Sequence, residues 1–287
     1  MKSDDFPAAY QSASDLSADS QKAFFRAFVA HMALLLGAAL ISAGSPSYPW
    51  AWATQTMMLL GALACACYLF FVRPERDWYT GRAIAESIKT ITWRYVVRAE
   101  PFNGDDQDAK LKMVRKLDQI LQQNKESAGK LTNHLSKPQI TKEMDRIRGL
   151  GFDKRKEFYL KNRITDQQEW YASKALFNRK RVTFYFAVLI LTITMAIAFS
   201  IARVIHPTEP YWPTDVLVTA ATVILSWIQA KRFQDLATSY TLAAHEISLI
   251  AQNTGRYGNE DSWSDFVGDA ENAFSREHTQ WVARKDT

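Results

Sequence analysis

The chain has 287 residues, a net charge of +5 and 47% hydrophobic residues, values ordinary for a globular protein. Its only cysteines, Cys65 and Cys67, exclude a disulfide framework and a four-cysteine metal site. The distribution is less ordinary, because the apolar residues gather in four blocks and the charges fall between them.

Block one runs from about Phe24 to Ala43, with Arg26 and His31 in its first turns. It follows a mostly polar stretch and has no small-residue cleavage site behind it, so it is expected to be a retained anchor rather than a signal peptide. His31 is open to two readings, a proton-sensitive gate or a histidine capping a helix contact. The loop GSPSYP carries no charge and leads into block two, Trp50 to Val72. Each block is close to the ~20 residues that cross a hydrocarbon layer. A water-soluble bundle with buried core helices is the rival reading.

Block two is predicted to run on into RPERDWYTGRAIAESIKTITWRYV, with Pro74 marking a kink or interfacial break. Ile84, Ile88, Ile91 and Tyr95 share one apolar face there, and Arg82, Glu86 and Lys89 another, at spacings that allow ion pairs. Trp78 and Trp93 are large apolar anchors. Leu111, Val114, Leu117 and Leu121 predict a helix over 107–122, and 127–138 reads as a polar loop. A turn at 150–152 precedes a long helix that carries Arg163, Asp166, Gln167, Trp170 and Tyr171 and runs into block three, Val182 to Ala202. That polar and aromatic set is either a buried network tying helices together or a ligand- or partner-sensing group.

In block four, Trp212 to Ala230, Asp215, Thr219, Thr222, Ser226 and Gln229 recur at spacings of four, three, four and three. They form one polar stripe. In a span such a stripe faces protein or water rather than lipid, so it either lines a pore shared by several copies or packs against neighbouring helices. The block is predicted to continue to about residue 252, and a last amphipathic helix to span about 261–282. Basic residues flank the spans at Lys22, Arg26, Arg73, Arg76, Arg179 to Arg181, Lys231 and Arg232, whereas the loop between blocks three and four holds only Arg203 and Glu209. This asymmetry places both chain ends and the long central region in the cytoplasm. The fold class expected is all-α: an integral membrane protein of two hairpins, at about 24–72 and 182–230, whose helices continue into a cytoplasmic bundle.

The hairpins read as copies offset by about 160 residues. Tyr10 aligns with Tyr171, Ser12 with Ser173 and Phe25 with Phe186, and Glu86 falls nearly opposite Glu246. The expected division is a first unit at 1–127, a linker or short helix at 128–150 and a second unit at 151–287.

The order of hairpin, R-x-x-x-E-x-x-K (Arg82, Glu86, Lys89), R-I-x-D-Q-x-x-W-Y (Arg163 to Tyr171), hairpin and S-R-E-H-x-x-W (Ser275 to Trp281) resembles the SLATT family, the SMODS and SLOG-associating two-transmembrane effector domains. The resemblance covers nearly the whole chain as a tandem of two units. It implies an effector of bacterial anti-phage conflict systems, permeabilising the inner membrane as a pore and lacking a catalytic site. It also implies a signalling nucleotide or a nucleotide-sensing protein as a possible partner. Together with the stripe it predicts a cyclic homo-oligomer, a tetramer for preference, in a lipid bilayer. A non-conducting scaffold or sensor is the alternative.

No enzyme, cofactor, metal or nucleic-acid partner is expected. Cys65 and Cys67 lie deep in a span without histidine or acidic neighbours. His245-Glu246 and Glu277-His278 lack zinc spacing, and Glu277 and His278 are better read as pairing with adjacent helices. No glycine pattern forms a phosphate loop.

Overall fold

A computed structural model describes residues 1–44, 48–209, 211–252 and 257–283, with side chains up to Phe274. It is 83% helical, and no strand occurs among the described residues. The elements are a 3-10 turn (Ser3–Asp5), α1 (Ala8–Ala43), α2 (Pro49–Val72), α3 (Pro74–Val96), α4 (Asp106–Gln123), α5 (Lys125–Ala128), α6 (Lys142–Arg148), α7 (Phe152–Tyr159), a π turn (Leu160–Thr165), α8 (Asp166–Ile205), α9 (Thr214–Lys231), α10 (Phe233–Gln252) and α11 (Glu260–Ala283).

Two compact units result. The apolar unit takes Lys22–Pro74 and Ala175–Thr238; the polar unit takes Met1–Gln21, Glu75–Lys174 and Ser239–Thr287. Four helical stretches are long and apolar enough to cross a membrane: α1, α2, the run Phe152–Ile205, and Thr214–Gln252. Apolar side chains remain on the outside of the apolar unit, among them Met57, Phe71, Leu191 and Val204, the last 80% exposed. In water such a surface is untenable, and in hydrocarbon it is the expected one. The chain is a multi-pass membrane protein.

Within the apolar unit, α1 and α2 approach closely at small residues. A Cβ on Gly37 would stand 3.0 Å from Met58 Sδ, and one on Gly61 3.1 Å from Leu34 Cδ1. His31 Nδ1 donates to the Ala62 carbonyl at 2.8 Å, so this histidine ties the hairpin together. Trp227 of α9 meets Phe25 of α1, and Lys231 lies 3.4 Å from the centre of the Phe25 ring. A groove of about 450 Å³ between α8 and α9 is lined by Leu189, Ile193, Ala196, Ala221, Thr222 and their neighbours.

The polar unit has its own core. Ile84 and Ile88 of α3 are fully buried, as are Met113, Met144, Ile147 and Trp263. Trp263 packs edge-on against Tyr159, which in turn meets Trp93. Asp105 caps α4 by accepting from the amides of Gln107 and Asp108, and Thr141 caps α6 by accepting from that of Met144. Arg148, buried, donates to the carbonyls of Tyr95, Phe102 and Gly104 and to Asp106, which fixes the α3–α4 connection.

Three sequence expectations change. α2 does not continue into α3. It stops at Val72, Arg73 adopts the left-handed conformation (φ 50°), and Pro74 opens a new helix. Proline suits a first helical turn, where its missing N–H costs nothing. Block four breaks in the same way at Arg232 (φ 49°). In α4, Leu111 and Val114 are each 53% exposed; the buried row is Ala109, Met113 and Leu117.

Candidate functional site

Three helices of the polar unit line an open cavity of about 460 Å³. α1 lines it with Tyr10, Ser14, Ser17, Ala18 and Gln21, and α3 with Trp78, Arg82, Ala85, Glu86 and Lys89. In both the increments are four, three, one and three, the repeat of one helical face. The start of α8 adds Asp166, Gln167, Trp170 and Tyr171. A glycine sets the distance between the first two walls: a Cβ at Gly81 would stand 3.0 Å from the backbone nitrogen of Ser17 and 3.1 Å from the carbonyl of Ala13.

The structure therefore brings seven of the eight candidates on α3 and the long helix to one cavity, although Arg82 and Tyr171 are 89 positions apart in sequence. The eighth, Arg163, does not line the cavity. It is buried in the π turn, where its Nε and Nη2 donate to Glu271 at 2.9 and 2.7 Å. Tyr159 donates to the same carboxylate at 2.8 Å, and the guanidinium stacks on Phe274, 4.4 Å from the ring centre. Burial by itself lowers the proton affinity of Arg163, but Glu271 outweighs it and the net shift is upward. Burial, with Glu271 beside it, drives the Tyr159 phenol well up. A π turn carries an extra residue per turn and resets helix phase, so Arg163 can serve the core while residues 166–171 face the cavity.

Lys89 stands 3.7 Å from Glu86, with both side chains largely buried. Burial lowers the lysine's proton affinity and the Glu86 charge opposes that. Tyr10 is raised, by burial first and by Glu86 second. Trp170 forms an edge-on pair with Tyr171 at 5.0 Å and another with Tyr240 at 5.4 Å, with the Lys174 ammonium 5.9 Å from its ring centre. Glu271 is the buried partner that sequence reasoning missed. It stands four residues ahead of the quoted C-terminal motif and 108 positions from Arg163, and no spacing rule links them. Glu277 and His278 lie outside the described side chains.

In the apolar unit the α9 stripe lies outward. Asp215, Thr222 and Gln229 are exposed, and Thr219 and Ser226 are half-exposed. The Thr219 and Thr222 hydroxyls donate to the carbonyls one turn back, those of Asp215 and Val218, at 2.9 and 3.0 Å. Among the described residues no cluster of histidine, cysteine and carboxylate side chains suits a metal ion.

The family model for SMODS and SLOG-associating 2TM effector domain 3 matches residues 7–156, and that for SMODS and SLOG-associating 2TM effector domain 1 matches 159–281. No curated protein and no solved structure matches the chain. The two models abut near the π turn, each takes one hairpin, and the first alone covers more than half of the chain. With its four spans and its two matched units, the chain belongs to the SLATT family, the two-transmembrane effector domains of conflict systems, as a tandem of two such domains.

Proposed function

We propose that this protein is a membrane effector of a bacterial anti-phage system that acts by permeabilising the inner membrane and not by catalysis. Its copies close into a ring, a tetramer, with α9 nearest the axis and the polar unit in the cytoplasm. The excess of arginine and lysine at the inner ends of the spans supports that orientation.

The observation that carries the reading is the outward α9 stripe. A carboxylate, an amide and a threonine hydroxyl stand on the exposed side of α9 beside Val218 and Leu225, with Thr219 and Ser226 half-exposed next to them, and hydrocarbon is a poor environment for the first two. Several copies of the stripe around an axis place those groups against water.

Conductance across a planar bilayer, or dye release from liposomes carrying the purified protein, tests this. The reading expects current, altered when Thr222 and Ser226 are both replaced by Leu. Sealed membranes with correctly inserted protein would reject it. A second reading, a non-conducting scaffold that recruits a cytoplasmic partner, draws on Leu111 and Val114, apolar and exposed on α4. A soluble protein that binds stoichiometrically through those two residues, without conductance, would favour it.

A further inference from the structure

The cavity of the polar unit is divided by charge. The α3 wall holds Arg82, Glu86 and Lys89 and sums to one positive charge; the α8 wall holds Asp166 and sums to one negative charge. A binding partner suited to both is anionic at one end and offers hydrogen-bond donors at the other.

The positive end centres on Lys89. Its side chain retains 20% exposure, and its ion pair with Glu86 spans 3.7 Å, beyond ordinary hydrogen-bond length. The ammonium has shed water for a loose partner, the state in which an added anion is worth most. Arg82 on the same wall, and Ser14 and Tyr10 on the α1 wall, add donors, more than the two oxygens of a carboxylate need.

The other end is flat and accepting. Trp170 keeps 36% of its surface exposed, and a heteroaromatic ring stacks favourably on such a face. Gln167 Nε2 donates to Asp166 Oδ2 at 3.2 Å, a bond that fixes the pair as an acceptor edge. A volume of about 460 Å³ exceeds an inorganic anion or an amino acid and lies within the range that encloses drug-sized ligands.

We infer that this cavity binds an amino-bearing heteroaromatic phosphate the size of a nucleoside monophosphate, with the phosphate at Lys89 and Arg82, the ring on Trp170 and the amino group at Asp166. The site stands on the cavity alone and does not rest on conduction.

The full chain in detergent or nanodiscs, titrated calorimetrically, tests it. AMP is expected to bind with a dissociation constant below about 1 mM, and adenosine, ribose 5-phosphate and IMP at least about tenfold more weakly. Lys89→Met and Trp170→Ala each weaken AMP by about tenfold or more. Asp166→Asn, at an exposed position, narrows the gap between AMP and IMP without touching the core. Melting curves and size-exclusion profiles establish that each variant is folded, and Trp170→Phe, which keeps a ring, retains most of the affinity. Absence of saturable heat with AMP, CMP and GMP, or AMP binding unchanged in folded Lys89→Met and Asp166→Asn variants, overturns the proposal. Binding with sealed membranes upholds it while removing the pore reading.

Discussion

Arg163 and Glu271 share a fully enclosed, doubly hydrogen-bonded ion pair. Desolvating two charges costs several kcal/mol, and the pair recovers this only while both members are present. Glu271→Ala should therefore cost about 3–5 kcal/mol of unfolding free energy, and Arg163→Met combined with Glu271→Leu much less. Denaturant titration checks this, and equal losses for the single and double variants would contradict it. The tyrosines give a pH signature. Tyr159 and Tyr95 are held above the usual phenol range, both by burial first and then by Glu271 and Asp145 respectively. Above pH ~10 the unfolded chain releases these protons and the folded chain keeps them, so stability falls as pH rises, by up to ~1.4 kcal/mol per unit for each tyrosine. Tyr159→Phe should flatten that fall; an unchanged slope would show that the phenol ionises equally in both states. The motif containing Arg163 was legible in the sequence and its partner was not, because helical periodicity links neighbours on one helix and says nothing of a helix 108 residues away.

The long helices were legible in the sequence, and the short α5 and α6, the helix faces and the breaks less so. In α4 the hydropathy of Leu111 and Val114 suggests a core stripe, yet the buried row is Ala109, Met113 and Leu117, because packing neighbours decide which of two adjacent stripes is covered. The proline after block two marked a boundary, but the break falls one residue earlier, in a left-handed arginine, and the break after block four has no proline at all. Arg73 and Arg232 stand 159 positions apart, close to the offset of about 160 between the two hairpins. A left-handed non-glycine residue costs roughly 1–2 kcal/mol, so Arg73→Gly and Arg232→Gly should each raise stability by about 1 kcal/mol. A lower melting temperature would mean that the arginine side chains, bonded to the Phe70 carbonyl and to Asp235, outweigh the backbone strain. Gly81 is the converse case. Gly81→Leu must push α1 from α3, with an expected loss of about 1–3 kcal/mol, and unchanged stability would show that the close approach is dispensable.

At the scale of the molecule, the four blocks and the basic flanks were readable because membrane insertion is written in composition over about 20 residues at a time. The cavity was readable only as a set of residue types, since its three walls come from positions 10–21, 78–89 and 166–171. The duplication bears on it directly: Tyr10 and Tyr171, aligned between the copies, line the same cavity, so both halves contribute to its walls. Whether the apolar unit conducts depends on what its α9 stripe faces. The most direct measurement is a single-particle reconstruction of the full chain in a lipid nanodisc. The account predicts a closed ring, four copies around one axis, with Asp215, Thr222 and Gln229 turned toward that axis. A monomer, or a ring with those residues turned outward to lipid, would contradict it.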